Sequence, residues 1–230
     1  MSSWLDTALD RFERDNEDLA LATHRVLARI ATDAPLHARL LNTLSMLEHL
    51  GSRKIVATQS SAGIDEPTLR HVAEEAHHAY FMKRQAQKAG GRALEYVDED
   101  LLAPAAARMY FQRLESGMKR VLGTTRATYL YMSMIVEFRA LWFYRLYQRV
   151  LRETGHRLSL KRVLGEEQNH LHDVATRLDA AGEPTETRAQ RFLAAEQRLY
   201  ERLLAAMRAE ILDLAPSPSS AVRRRIGVSA

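Results

Sequence analysis

Apolar residues recur along this chain at three- and four-residue spacing, and no stretch shows the period-two alternation of a half-buried strand. The pattern predicts seven helices. The first runs from Trp4 to Ala31 and stops before Pro35; the second runs from Pro35 to Gln59, ending at the Ser60-Ser61-Ala62-Gly63 breaker. The third starts at Glu66-Pro67, with proline in its first turn, and ends at Gly90-Gly91. The fourth spans Asp98 to Leu122, with Pro104 in its early part. Gly123-Thr124-Thr125 separates it from a long fifth helix that reaches Glu153. Thr154-Gly155-His156 makes the next turn, the sixth helix runs from Ser159 to Ala181, and Gly182-Glu183-Pro184 precedes a seventh that closes near Leu212. The fold class is all-α. Residues 1–213 read as a single domain, and residues 214–230 as a disordered basic tail rich in Ser, Pro and Arg.

Composition narrows the chemistry. The 230 residues are 46% hydrophobic and 27% charged, as in ordinary globular proteins, and include no cysteine. Disulfide scaffolds, thiol catalysis, Cys-ligated zinc and iron–sulfur clusters are therefore excluded, so a metal site must use the nine histidines and the carboxylates. The missing cysteines fit a cytoplasmic protein. The net charge of +4 hints at a polyanion partner, but Arg223, Arg224 and Arg225 supply three of those charges in the tail. Without them 30 basic residues face 29 acidic ones, and no electrostatic reason remains to expect nucleic acid. The N-terminus is acidic and amphipathic rather than a signal peptide, and the most apolar stretch, Thr128 to Val136, is cut off by Glu137 and Arg139, so no membrane span is expected.

The third and sixth helices carry one pattern twice: Glu74-Glu75-Ala76-His77-His78 and Glu166-Glu167-Gln168-Asn169-His170. Glu and His three apart share a helix face and can reach one ion. Chance gives about 0.7 such pairs at this composition, so a single copy means nothing; the duplicated context does. Apolar neighbours turn Glu75/His78 and Glu167/His170 inward, whereas Glu74, His77 and Glu166 are expected to face water. One helix earlier, each pair is preceded by a lone glutamate on an apolar face: Glu48 beside Leu41, Leu44 and Ile55, and Glu137 beside Leu130, Met134 and Leu141. Buried unpaired carboxylates are costly and call for a compensating partner. Glu48 and Glu75 are 27 residues apart and Glu137 and Glu167 are 30 apart, separations that suit an antiparallel hairpin with its turn midway.

Glu, Glu-x-x-His, Glu, Glu-x-x-His on four helices resembles the ferritin-like di-iron carboxylate superfamily over residues 35–181. The resemblance implies a four-helix bundle of two antiparallel hairpins joined by a long crossover, with extra N-terminal, crossover and C-terminal helices. It implies metal ligands at Glu48, Glu75, His78, Glu137, Glu167 and His170, holding two iron ions, with manganese or a mixed pair as alternatives and zinc compatible with the donor set. The function so implied is an oxidoreductase that activates dioxygen or peroxide on a small organic substrate, fed by an external electron donor. No catalytic side chain beyond the ligands is assigned.

Several alternatives stay open at this point: a rubrerythrin-like peroxidase, ferroxidation and iron storage, a non-catalytic metal-binding bundle, and a tRNA-hydroxylating relative. Particle size separates a storage shell from a monomer or homodimer. Around the six, His71 could be an extra ligand or a supporting group, and Asp173 could orient His170 or form a surface ion pair. Tyr144 lies on the Glu137 face, and His49 points away from Glu48. Tyr129, Tyr131, Trp142, Phe143 and Tyr147 read as core or interface, and Met46, Met82, Met132 and Met134 would suit an apolar pocket.

Overall fold

A computed structural model describes residues 3–59, 63–123, 126–183 and 185–213. Among these residues the chain forms eight α-helices and no β-strand: α1 (Ser3–Asp15), α2 (Glu17–Ala31), α3 (Ala34–Thr58), α4 (Glu66–Gly90), α5 (Pro104–Leu122), α6 (Arg126–Glu153), α7 (Lys161–Ala180) and α8 (Thr185–Asp213). The tail expected at 214–230 lies outside the described residues, as do Ser60 to Ala62, Thr124, Thr125 and Pro184.

Local chemistry sets most of these boundaries. Asp33 caps α3 by accepting the Leu36 amide at 3.2 Å, and Asp65 caps α4 by accepting that of Thr68 at 2.9 Å. Pro35 and Pro67 follow in the first turns, where the missing N–H costs nothing. Gly91 ends α4 at φ 65°, a left-handed conformation that glycine adopts without steric cost.

Two of the expected helices are shorter than their periodicity implies. The first is broken at Asn16 into α1 and α2. This buried side chain donates to the Phe12 carbonyl at 2.8 Å and accepts from Arg139 Nη2 at 2.9 Å, so it competes with the helical ladder while being tied to the core. The fourth begins at Pro104, not Asp98; Asp98–Asp100 is a single 3₁₀ turn and Ala103 sits at φ 49°. A proline ring within a helix would clash one turn back, so the helix starts on it. The irregular backbone before Pro104 is satisfied by α3: Asn42 Nδ2 donates to the Glu95 and Asp100 carbonyls, and the Leu102 amide donates to Thr43 Oγ1 at 2.8 Å.

α3 and α4 pack as an antiparallel hairpin, marked by Ala38 against Gly90, Lys83 bonded to Asn42, and Ser45 bonded to the Ala79 carbonyl. α6 and α7 form the second hairpin, where the Leu160 amide donates to Gln148. The hairpins meet through α3 against α6 and α4 against α7; α5 lies against α3, α6 and α8, while α1 and α2 contact α6 and α8. No helix among the described residues is long and apolar enough to cross a membrane.

Candidate metal centre

Where the two hairpins meet, four helices turn carboxylates and imidazoles toward one another. Glu48 comes from α3; His71, Glu75 and His78 from α4; Glu137 from α6; Glu167 and His170 from α7. They form two overlapping groups able to hold metal ions. In one group, ligand atoms of Glu48, Glu75, His78 and Glu167 lie within 4.8 Å of one another; in the other, those of His71, Glu75, Glu137 and His170 do. Glu75 belongs to both. All except the half-buried Glu48 are buried.

The close pairs lie between helices as well as along them. His78 Nδ1 stands 3.3 Å from Glu167 Oε1, and His71 Nε2 stands 3.1 Å from Glu137 Oε1. His170 Nδ1 lies 3.5 Å from Glu75, 3.6 Å from Glu137 and 3.6 Å from Glu167. Gly51 on α3 leaves room for the Glu75 carboxylate, because a Cβ there would sit 3.2 Å from Glu75 Oε2.

The imidazoles are aimed by a second pair of glutamates. Glu166 accepts from His78 Nε2 at 2.8 Å, and Glu74 accepts from His170 Nε2 at 2.7 Å. The first Glu of each Glu-Glu-x-x-His therefore serves the histidine of the other copy. With Nε2 engaged as a donor, each ring presents Nδ1 to the interior. Glu74 and Glu166 do not face water as expected; both are half-buried, while His77 is exposed.

Electrostatics record the crowding. Burial opposes a charge on all three central imidazoles, yet neighbouring carboxylates outweigh it. Glu137 and Glu75 hold His71 up at about 9, Glu167 with Glu48 and Glu75 holds His78 at about 10, and Glu137 with Glu167 holds His170 at about 12. Burial also works against the Glu137 carboxylate, but Glu167, His170 and His71 pull it down to about 2. Glu48 is pushed well up, by burial first and then by the charges of Glu75 and Glu167, and Tyr144 donates to it. Glu167 is likewise raised by burial and by Glu137.

The donor set fits cations. His78 Nδ1, His170 Nδ1, Glu137 Oε2 and Glu167 Oε1 are buried with no hydrogen-bond partner, and all four belong to the convergent groups. Buried polar atoms are seldom left unpaired, and the two such atoms in each group call for a shared partner. Carboxylate oxygens with imidazole nitrogens suit iron or manganese and also accommodate zinc.

Compared with models of known families, with curated proteins and with solved structures, the chain gives no match. The site has to be read from its own geometry. All six residues singled out in the sequence lie in the two groups, and His71 joins them. The signal for Glu74 and Glu166 was the duplicated Glu-Glu itself, since a second glutamate repeated in register has a job in both copies. Asp173 pairs with Arg177 on its own helix and plays no part at His170. His49 is exposed and stacks on Tyr96. The helix-six aromatics Tyr129, Tyr131, Trp142, Phe143 and Tyr147 are buried. Met132 lines a cavity, whereas Met46, Met82 and Met134 are core.

Proposed function

We propose that this chain is a ferritin-like dinuclear metal protein, an oxidoreductase that uses dioxygen or peroxide on a small organic substrate with electrons from an external donor. Its bundle would comprise α3, α4, α6 and α7, with α5 in the crossover and α1, α2 and α8 outside. The observation that carries the proposal is the pair of donor groups overlapping at Glu75, with four buried polar atoms left unpaired around them. In this reading Glu48, Glu75, His78 and Glu167 hold one ion, and His71, Glu75, Glu137 and His170 the other. When bound, two iron ions, or manganese in either position, supply the redox equivalents for reducing dioxygen or peroxide.

The chain's own side chains set the surroundings of the ions. Glu74 and Glu166 keep a proton on the outer nitrogens of His170 and His78 and so hold each Nδ1 in place. Tyr144 holds a proton against Glu48, and the cavity walls beside it are mostly apolar. Cavities with such walls support an organic substrate over iron handling, because a hydrated ferrous ion would find few oxygens there to replace its waters.

Metal analysis of protein purified without chelator, followed by oxygen titration of the reduced iron-loaded form, tests the proposal. Two metal ions per chain and an absorption change on meeting oxygen are expected. Equal metal content in wild type and in Glu75→Ala/His78→Ala would refute the site; full loading with no oxygen consumed would refute the oxidoreductase function alone.

A further inference from the structure

The near balance of charge outside the tail conceals a local excess. α5 and α8 run antiparallel, tied by Tyr110 donating to Glu196 at 2.7 Å and by the Ala103 amide donating to Glu210 at 2.7 Å. Between them lies a groove of about 640 Å³. Arg113 and Arg120 of α5 and Arg191, Arg198 and Arg202 of α8 line it, and no acidic residue does. Its floor is apolar, from Leu114 and Met118 to Phe192 and Leu199, while Gln112 and Ser116 add uncharged donors.

All five arginines are exposed, and among the described residues none has a carboxylate partner. Arginines just before them on the chain do: Arg108 pairs with Asp98 at 2.6 Å and Arg188 pairs with Glu183. The glutamates of the two helices are engaged elsewhere. Glu115 holds Lys119 and Lys54, Glu196 is buried against Arg139, Glu210 pairs with Arg39, and Glu201 accepts from Gln197. Arg191, Arg198 and Arg202 are spaced to share one face of α8 over about 16 Å. Arg113 and Arg120 form a shorter row across from them on α5. Like charges of this kind around a concave surface repel one another and concentrate anions between them.

We infer that the groove between α5 and α8 binds a small molecule carrying a chain of linked phosphates, laid between the two arginine rows. Guanidinium forks match phosphate oxygens in pairs, and successive phosphates meet successive arginines along a row. Size sets the class. The groove falls within the range of roughly 300–1,000 Å³ usual for small-ligand sites. An acidic helix, about 10–12 Å across with its side chains, would need more than about 1,200 Å³ over the same length and would stand mostly outside. A lone carboxylate would leave most of the arginines unmatched. The chemistry is shared by a free oligophosphate and by a nucleoside triphosphate, whose base would rest on the apolar floor. No residue of the groove belongs to the metal centre, so this site stands apart from the function proposed above.

The test titrates tripolyphosphate, ATP, AMP and a hexaglutamate peptide into the full chain at low salt, with binding read by calorimetry. Tripolyphosphate and ATP should bind one to one and about tenfold tighter than AMP or the peptide. ATP binding tighter than tripolyphosphate assigns the groove to the nucleoside triphosphate; ATP binding no tighter assigns it to the free chain. Arg113→Gln/Arg120→Gln and Arg198→Gln/Arg202→Gln each remove two exposed contacts and should weaken binding about tenfold. Arg149→Gln/Arg152→Gln removes the same charge from exposed positions on α6 outside the groove, and should bind as wild type. No saturable binding of tripolyphosphate, AMP or the peptide binding as tightly, wild-type affinity in both groove variants, or an equal loss in the α6 variant would each overturn the inference.

Discussion

Replacing Glu74 or Glu166 by alanine probes the exchange of support between the two hairpins. Glu74 accepts the Nε2–H of His170 at 2.7 Å, and Glu166 accepts that of His78 at 2.8 Å. Such bonds fix the ring and its tautomer and raise the basicity of the opposite nitrogen; losing one at a metal-binding histidine costs about 10–100-fold in affinity. Both variants belong in the lower half of that range. The Glu74 side chain is 28% exposed, so water replaces part of the lost acceptor. Glu166 is better buried at 16%, but Arg162 Nε also donates to it at 2.8 Å and draws charge away from His78. Each loss comes to about 10–30-fold, roughly 1.4–2.0 kcal/mol. The assay is competition for Zn²⁺ against a chelating indicator at fixed pH. Glu74→Gln keeps an acceptor oxygen without the charge and should recover part of the loss. Wild-type affinity in both alanine variants, or a glutamine variant as weak as Glu74→Ala, would refute the supporting role.

Three other outcomes follow from contacts away from the metal-site imidazoles. Glu196→Ala strands the buried Arg139 charge and should cost about 3–5 kcal/mol in denaturant unfolding, most of it recovered in Arg139→Met/Glu196→Leu. Gly51→Val drives a side chain into the space held by Glu75 Oε2; it should lose about 1–3 kcal/mol of stability and release metal faster on dialysis, and wild-type retention would detach Gly51 from the site. Burial, and then the charge of His156, lowers His37 to about 4 from 6.5, so the unfolded chain takes up that proton first as pH falls. Stability present above pH 6.5 should therefore drop between pH 6.5 and about 4 by on the order of 2 kcal/mol, and His37→Gln should flatten that slope in melts across the range.

The helices and the six inward residues were legible because both follow from one period: the 3.6-residue repeat that buries Leu41, Leu44, Leu130 and Met134 turns the half-buried Glu48 and the buried Glu137 inward with them. What the repeat could not show depends on partners remote in sequence. Asn16 reads as an ordinary helical position until Arg139, 123 residues away, claims its oxygen. The segment before Pro104 has helical spacing, but Asn42, Thr43 and Arg39 bind its carbonyls and amides from α3. Glu74 and Glu166 sit on the wetter side of their own helices, and only the facing hairpin makes them part of the site. His71 was visible on the Glu75 face, yet its role depended on Glu137 arriving from α6.

Neither hairpin can assemble either donor group by itself. The group with Glu48, Glu75 and His78 is closed by Glu167 from α7, and the group with Glu137 and His170 is closed by His71 and Glu75 from α4. The same exchange holds one layer out, where Glu74 on α4 steadies His170 and Glu166 on α7 steadies His78. Docking the hairpins thus brings four carboxylates into low-dielectric surroundings, and the raised His71, His78 and His170 set positive charge directly against them there. Cations bound at Glu75 and its neighbours would take over that charge and displace those protons. Because the unfolded chain offers no such convergence, any ion held there stabilises the docked hairpins by mass action. Assembly of the fold and loading of the site are then one linked equilibrium, which is why a duplicated motif, useless as two separate copies, makes physical sense as one shared centre.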